Sequence, residues 1–302
     1  MTASSQIVPP DEARQVRERL DRLGLPGIID VHTHFLPDRM MAKVWDYFDQ
    51  AGPLTGRPWP IAYRTSSDER VATLRSLGVE HFTSLAYPHK PGMAQWLNGW
   101  CADFAAEHPD CLHSATFFPE AGAASYVEEA IGRGARIFKV HVQVGDFDPN
   151  DPLLDDVWSL LAATGTPVVI HVGHGPAPGR FTGPAAAAEL LRRHDGLRLV
   201  IAHLGLPDYG DFLDLALEHP LVHLDTTMAF TRFTEETSPF PAGRRADLVT
   251  LGERILFGSD FPNIPYPYVE AVDAVLELGL GDDWSRGVLR DNAARLLGIQ
   301  AT

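Results

Sequence analysis

The sequence predicts an α/β protein, a closed parallel (β/α)8 barrel of the TIM type, and three observations carry that expectation. Short apolar, β-branched runs recur eight times along the 302 residues, each followed by a stretch with helical signals. The runs are apolar on both faces, as strands buried between an inner core and an outer helical layer must be. The titratable residues that interrupt them lie toward their carboxyl ends, where barrel enzymes place their sites. A doubly wound sheet also alternates, but it rarely needs eight regular units, and no G-x-G-x-x-G occurs.

The elements follow in order. Residues 1–26 read as an N-terminal extension with a helix near 11–23, and residues 27–302 as a single barrel domain. The eight runs are 27–34 (GIIDVHTH), 79–87, 112–119, 136–142, 167–173 (PVVIHVG), 198–205 (RLVIAHLG), 222–227 (VHLDTT) and 255–262 (ILFGSDFP). Helices are expected near 68–77, 93–107, 122–133, 151–161, 184–194, 208–218, 242–251 and 267–278, with a last one near 283–297. The best marked begins at Asp151, a natural N-cap, with Pro152 in the first turn. Leu153, Leu154, Val157, Leu160 and Leu161 then form one stripe, and Gly165 closes it. Three connections are longer than a barrel needs, an inserted loop region about 35–67 and the stretches 173–183 and 227–241. Each follows a strand, so each belongs to the carboxyl face.

Composition narrows the partners. The chain carries 25 Lys+Arg against 40 Asp+Glu, a formal charge of −15, with no basic cluster to offset it. That balance repels phosphate backbones, so nucleic acid is excluded as an expected partner. No uncharged apolar run reaches membrane-spanning length. The N-terminus, MTASSQIVPPDEARQVRERL, lacks the apolar core of a signal peptide. A cytoplasmic location is expected. Cys101 and Cys111 cannot build a disulfide framework and read as reduced, partly buried thiols.

The informative residues interrupt the apolar runs. His32 and His34 close the first, Lys139 and His141 lie in the fourth, His171 in the fifth, His203 in the sixth and Asp260 in the eighth. Side chains on a strand alternate, so His32 and His34 point the same way and can share one ion. His171 and Asp260 would complete three nitrogens and one oxygen, a set that suits Zn²⁺ or a similar divalent ion. A lone strand histidine is more often a hydrogen-bonded core residue. Four candidate ligands at corresponding strand ends are harder to reach by chance. Six further histidines, His81, His89, His108, His113, His194 and His219, are expected near helix ends or turns and solvated.

With those residues in view, the chain resembles the amidohydrolase superfamily. It is most similar to the amidohydrolase-2 (amidohydrolase-related) branch with its aminocarboxymuconate-semialdehyde decarboxylase-like enzymes. The matching motifs are Ile29-Asp30-Val31-His32-Thr33-His34, Phe138-Lys139-Val140-His141, Val169-Ile170-His171-Val172-Gly173, Ile201-Ala202-His203-Leu204-Gly205 and Gly258-Ser259-Asp260-Phe261-Pro262. The resemblance implies a distorted barrel with one divalent metal, usually zinc, with manganese as the alternative. His32, His34, His171 and Asp260 match ligand positions. His203 matches the histidine that acts on water or substrate, and Asp260 doubles as a proton carrier. Lys139 admits two readings: a carboxylated bridge between two metals, or a charged lysine paired with a carboxylate such as Asp30 or Asp225. His141 is either a substrate contact or a satisfied structural histidine.

The implied activity is metal-dependent hydrolysis of a small organic substrate, an amide, lactone or carboxylate-bearing compound. Non-oxidative decarboxylation is the alternative within the same branch, and a barrel that serves only as a scaffold is the remote one. The 35–67 region is rich in aromatics, Phe35, Trp45, Tyr47, Phe48, Trp59 and Tyr63, with Arg57 and Arg64. It reads as a lid over the substrate or as a homodimer contact. Arg180 and Arg232 are candidate carboxylate clamps, and His174 is a further loop candidate; a surface role competes with each.

Overall fold

The computed structural model describes residues 8–300. In chain order its strands are β1 Ile28–Asp30, β2 Val79–Thr83, β3 Cys111–Leu112, β4 Ser114–Thr116, β5 Ile137–His141, β6 Val168–His171, β7 Leu199–Ile201, β8 His223–Asp225 and β9 Ile255–Leu256. The chain divides into two compact units. The first holds the residues up to Phe82 together with those from Thr226 onward, the second Thr83–Asp225. Among the described residues, no helix is long and apolar enough to cross a membrane.

In the first unit the helix Glu12–Leu23 buries Val16, Leu20 and Leu23 at helical spacing and ends at Gly24, whose φ is +67°. Arg19 ties it to the helix Tyr268–Glu277, near the C-terminus, through two bonds to Asp273 at 2.5 and 2.7 Å. β1 runs parallel to β2, with Asp30 opposite Phe82. Gly27 is required at the entry to β1, because a Cβ there would lie 2.8 Å from the Gly78 carbonyl oxygen. The 35–67 connection is not all loop. It contains the helix Asp38–Gln50 and a single turn at Gly52–Thr55. The expected last helix is broken into Asp282–Arg286, a π-helical stretch Gly287–Asp291 and Asn292–Leu297.

In the second unit β4 to β8 form a continuous parallel ladder. Its register sets Thr116 opposite Lys139, His141 opposite His171, Ile170 opposite Ile201 and Ile201 opposite Leu224. The helices between strands bury one stripe each, such as Val157, Trp158 and Leu161 of Asp155–Thr164. Asp151 accepts from the Leu153 amide as expected, but the first turn is 3-10, Pro152–Leu154. Gly165 closes the helix with φ +65°. Cys101 and Cys111 are free, buried thiols, and burial pushes the Cys101 thiol up to about 12.

The strands are shorter than the apolar runs, and this corrects the placement of several site residues. His32 and His34 follow β1 rather than close it, His203 sits in a 3-10 turn after β7, and Asp260 lies beyond β9. At His203 and Leu204 the reason is backbone geometry, since φ of +57° and +50° cannot continue a strand; Asp260, past the end of β9, likewise has φ +69°. The solvated histidines also need correction: His194 is buried, His81, His108, His113 and His219 are half-buried, and His81 lies within β2.

Candidate metal centre

Three donors converge in the first unit. His34 Nε2 lies 2.9 Å and His32 Nε2 3.8 Å from the same oxygen, Asp260 Oδ1. The three donor atoms lie within 4.8 Å of one another, and all three residues are buried. The residues are delivered by two segments just beyond β1 and β9. Backbone bonds join these segments: Val31 N–H to Phe257 O at 3.0 Å, Asp260 N–H to His32 O at 2.9 Å and His34 N–H to Phe261 O at 2.7 Å. Asp260 tolerates its left-handed φ better than a branched residue would. A buried carboxylate facing two imidazole nitrogens is a donor set matched to a divalent ion: neutral nitrogens, one anionic oxygen and little water to compete.

Beneath the ligands lies Asp30, fully buried. Its Oδ1 accepts from the His32 and Ser259 amides at 3.2 and 3.1 Å, and its Oδ2 from the Tyr268 hydroxyl at 2.9 Å. Burial pushes the Asp30 carboxyl up to about 7, against the pull of those donors. Burial likewise holds the Tyr268 hydroxyl well above its ordinary range, so it remains a donor.

The second unit contributes further histidines. His141 and His171 stack with ring centroids 3.9 Å apart, and His203 lies 4.7 Å from His171. His171 Nε2 is 2.9 Å from the Gly175 carbonyl. A carbonyl has no proton to give, so Nε2 donates. His141 is the reverse: its Nδ1 accepts from the Val144 amide at 3.3 Å and caps a short turn. The His203 amide donates to Asp225 at 2.9 Å. Lys139, in the middle of β5, is fully buried.

The loop candidates separate. His174 is tied through Nδ1 to Asp208 at 2.7 Å. Arg180 is exposed and lies over the Phe181 ring. Arg232 is 88% exposed and reaches Glu270 at 3.5 Å, a weak surface pair. In the 35–67 region, Trp45 and Trp59 donate to the side chain and carbonyl of Asn263, three residues after Asp260. Asn263, Tyr268, Ser259 and the buried Arg70, whose guanidinium faces Phe35 and Trp45, were not legible as site residues. Residue type and spacing carry no mark of a contact made across long sequence separation.

Comparison with known proteins agrees with the geometry. The family model described as amidohydrolase matches residues 29–299. Among curated proteins nothing matches. Of the solved structures, an uncharacterized TIM-barrel protein from Bordetella bronchiseptica is similar at a TM-score of 0.74 with 20% identity, covering 90% of this chain and 98% of that one. An amidohydrolase from Burkholderia multivorans with bound zinc gives 0.65 and 16%, covering 91% and 100%. The 5-carboxyvanillate decarboxylase from Novosphingobium aromaticivorans, with bound manganese and 3-methoxy-4-hydroxy-5-nitrobenzoic acid, gives 0.62 and 13%, covering 91% and 99%. At these identities the likeness shows the fold, a distorted (β/α)8 barrel.

Proposed function

This chain belongs to the amidohydrolase family, and from that membership we propose that it is a metal-dependent hydrolase of a small organic substrate, an amide, lactone or carboxylate-bearing compound. The observation that carries the reading is the buried convergence of His32, His34 and Asp260. These residues would hold a divalent ion, with zinc and manganese the candidates because similar structures contain them. A divalent ion in such a site polarises a substrate oxygen and brings the ionisation of water toward neutral pH. His32 and His34 offer neutral lone pairs, and Asp260 balances the charge. His171 enters as a further ligand, and His203 as the group that moves a proton to or from the substrate, on the motif match alone.

The test is metal content per chain by elemental mass spectrometry, with Asp260→Asn and Lys139→Ala beside the wild type. About one metal, lost in Asp260→Asn and kept in Lys139→Ala, supports a single-ion site, and turnover of an amide, lactone or ester substrate by the metal-loaded protein supports hydrolysis. Two metals, falling in Lys139→Ala, would make Lys139 a carboxylated bridge. No bound zinc or manganese under any loading condition sinks the reading.

A second reading is favoured by one observation, the likeness to a manganese-containing decarboxylase. In it the same three residues would hold an ion able to take a substrate carboxylate, and His203 would protonate carbon. Carbon dioxide release from an aromatic or unsaturated acid, without hydrolytic turnover, selects it.

A further inference from the structure

The two segments that carry His32, His34 and Asp260 are stitched by three backbone bonds, but those bonds run along one edge of each segment. A second fastening comes from below. Asp30 reaches both segments with one oxygen, accepting the His32 amide at 3.2 Å and the Ser259 amide at 3.1 Å. Its other oxygen is held by the Tyr268 hydroxyl at 2.9 Å. The Tyr268 ring is fully buried and packs edge-on against Phe257 and Phe261, which flank Ser259 and Asp260 in sequence, with centroids 5.9 and 6.3 Å away.

The chain of bonds continues outward. The Tyr268 amide donates to the Tyr63 hydroxyl at 2.6 Å, and that hydroxyl donates to Glu12 Oε1 at 2.7 Å. Glu12 Oε1 also takes the Val269 amide at 3.1 Å, and Glu12 is only 4% exposed. A buried polar network of this kind is costly unless every member is satisfied, and here the members are.

We propose that Tyr268 is a positioning residue of the metal centre: through Asp30 it holds the two ligand-bearing segments in place, and through Tyr63 and Glu12 it anchors them to the N-terminal helix. The proposal rests on the reading of His32, His34 and Asp260 as metal ligands. Partners one bond removed from a ligand set its orientation, and their loss typically weakens metal affinity about 10–100-fold. A network that only stabilises the core would behave otherwise. Its loss would lower the melting temperature of the metal-free protein and leave affinity untouched.

The experiment titrates Zn²⁺ and Mn²⁺ into the full chain against a competing chelator dye and follows metal-free melting in parallel. Tyr268→Phe keeps the ring and removes the hydroxyl; standing one bond beyond Asp30, it is expected to weaken binding about 10-fold, the lower end of that range. Tyr63→Phe and Glu12→Ala, further along the chain, should weaken it by several-fold, and Glu12→Gln, which keeps the acceptor, should restore it. Affinities within about twofold of wild type in Tyr268→Phe overturn the proposal, whatever happens to melting. Should Tyr268→Phe not fold, Tyr63→Phe and the Glu12 pair decide by the same criterion. A wild type that binds neither ion overturns the metal-centre reading itself, a result distinct from unchanged affinity in the variants.

Discussion

Two histidine pairs in this molecule solve different problems. His32 and His34 are neighbours but one in sequence, and their rings meet edge to face, with centroids 5.1 Å apart and planes at 74°. His141 and His171 come from adjacent strands, and their rings stack 3.9 Å apart at 26°. Strand register explains the second pair. The two Cα atoms are direct partners across the β5–β6 ladder, and in-register side chains on parallel strands stand side by side. Parallel rings present their nitrogens in parallel planes, so the stack does not aim the lone pairs of both His141 and His171 at one ion. The first pair has left the pleat, and both Nε2 atoms turn toward Asp260 Oδ1. Strand register builds stacks, whereas irregular backbone beyond the strand end lets donors meet.

The comparison breaks most sharply at the ligands. Replacing His34 by Ala removes the closer of the two nitrogens, and metal content should fall from about one per chain to near zero. The loss of affinity should exceed the roughly 100-fold seen when only a supporting partner is lost. A His34→Ala protein that keeps stoichiometric metal by elemental analysis would show that convergence on Asp260 is not chelation.

A smaller effect is expected at the stack. His141→Ala should retain its metal and lose stability by about 1–2 kcal/mol, because it removes both a ring contact and the acceptor for the Val144 amide. Chemical denaturation measures the loss. Metal loss in this variant would mean that His141 supports binding as well and would erase the distinction.

The smallest effect is a pH dependence at the outer end of the network beneath the ligands. Burial raises the Glu12 carboxyl above its ordinary value, so the folded protein binds that proton more tightly than the unfolded chain does. The resulting contribution is fully present below the unfolded carboxyl value and is lost as pH rises through the folded one. Glu12→Gln should therefore flatten the stability profile on the alkaline side of the carboxyl range, read as the difference between wild-type and variant urea midpoints across pH. A constant difference over that range would show that Glu12 is not desolvated in solution.

Much of the scaffold was legible because helices announce themselves locally. The stretch expected near 68–77 is Ser67–Ser76, and that near 93–107 is Ala94–Glu107. The helix Asp38–Gln50 was not legible in this way: its aromatic content reads as a lid or dimer contact on an inserted loop. Strand ends are less legible, because apolar residues serve as well past the ladder as within it. In the run 198–205 the strand stops at Ile201, and the turn that follows is set by the positive φ of His203 and Leu204. Apolar pattern carries no information about that sign.

By itself the sequence determined the alternation of strand and helix, the excess of negative charge and the identity of the residues able to hold a metal. These are properties of single residues and short windows, where periodicity and side-chain chemistry act. Only the tertiary structure decided that His32, His34 and Asp260 meet at one oxygen, and that Asp30 fastens two segments 229 residues apart through Tyr268. Such contacts depend on the path of the whole backbone. A hydrogen bond between distant residues is set by where the fold brings them, and nothing in either local sequence records it.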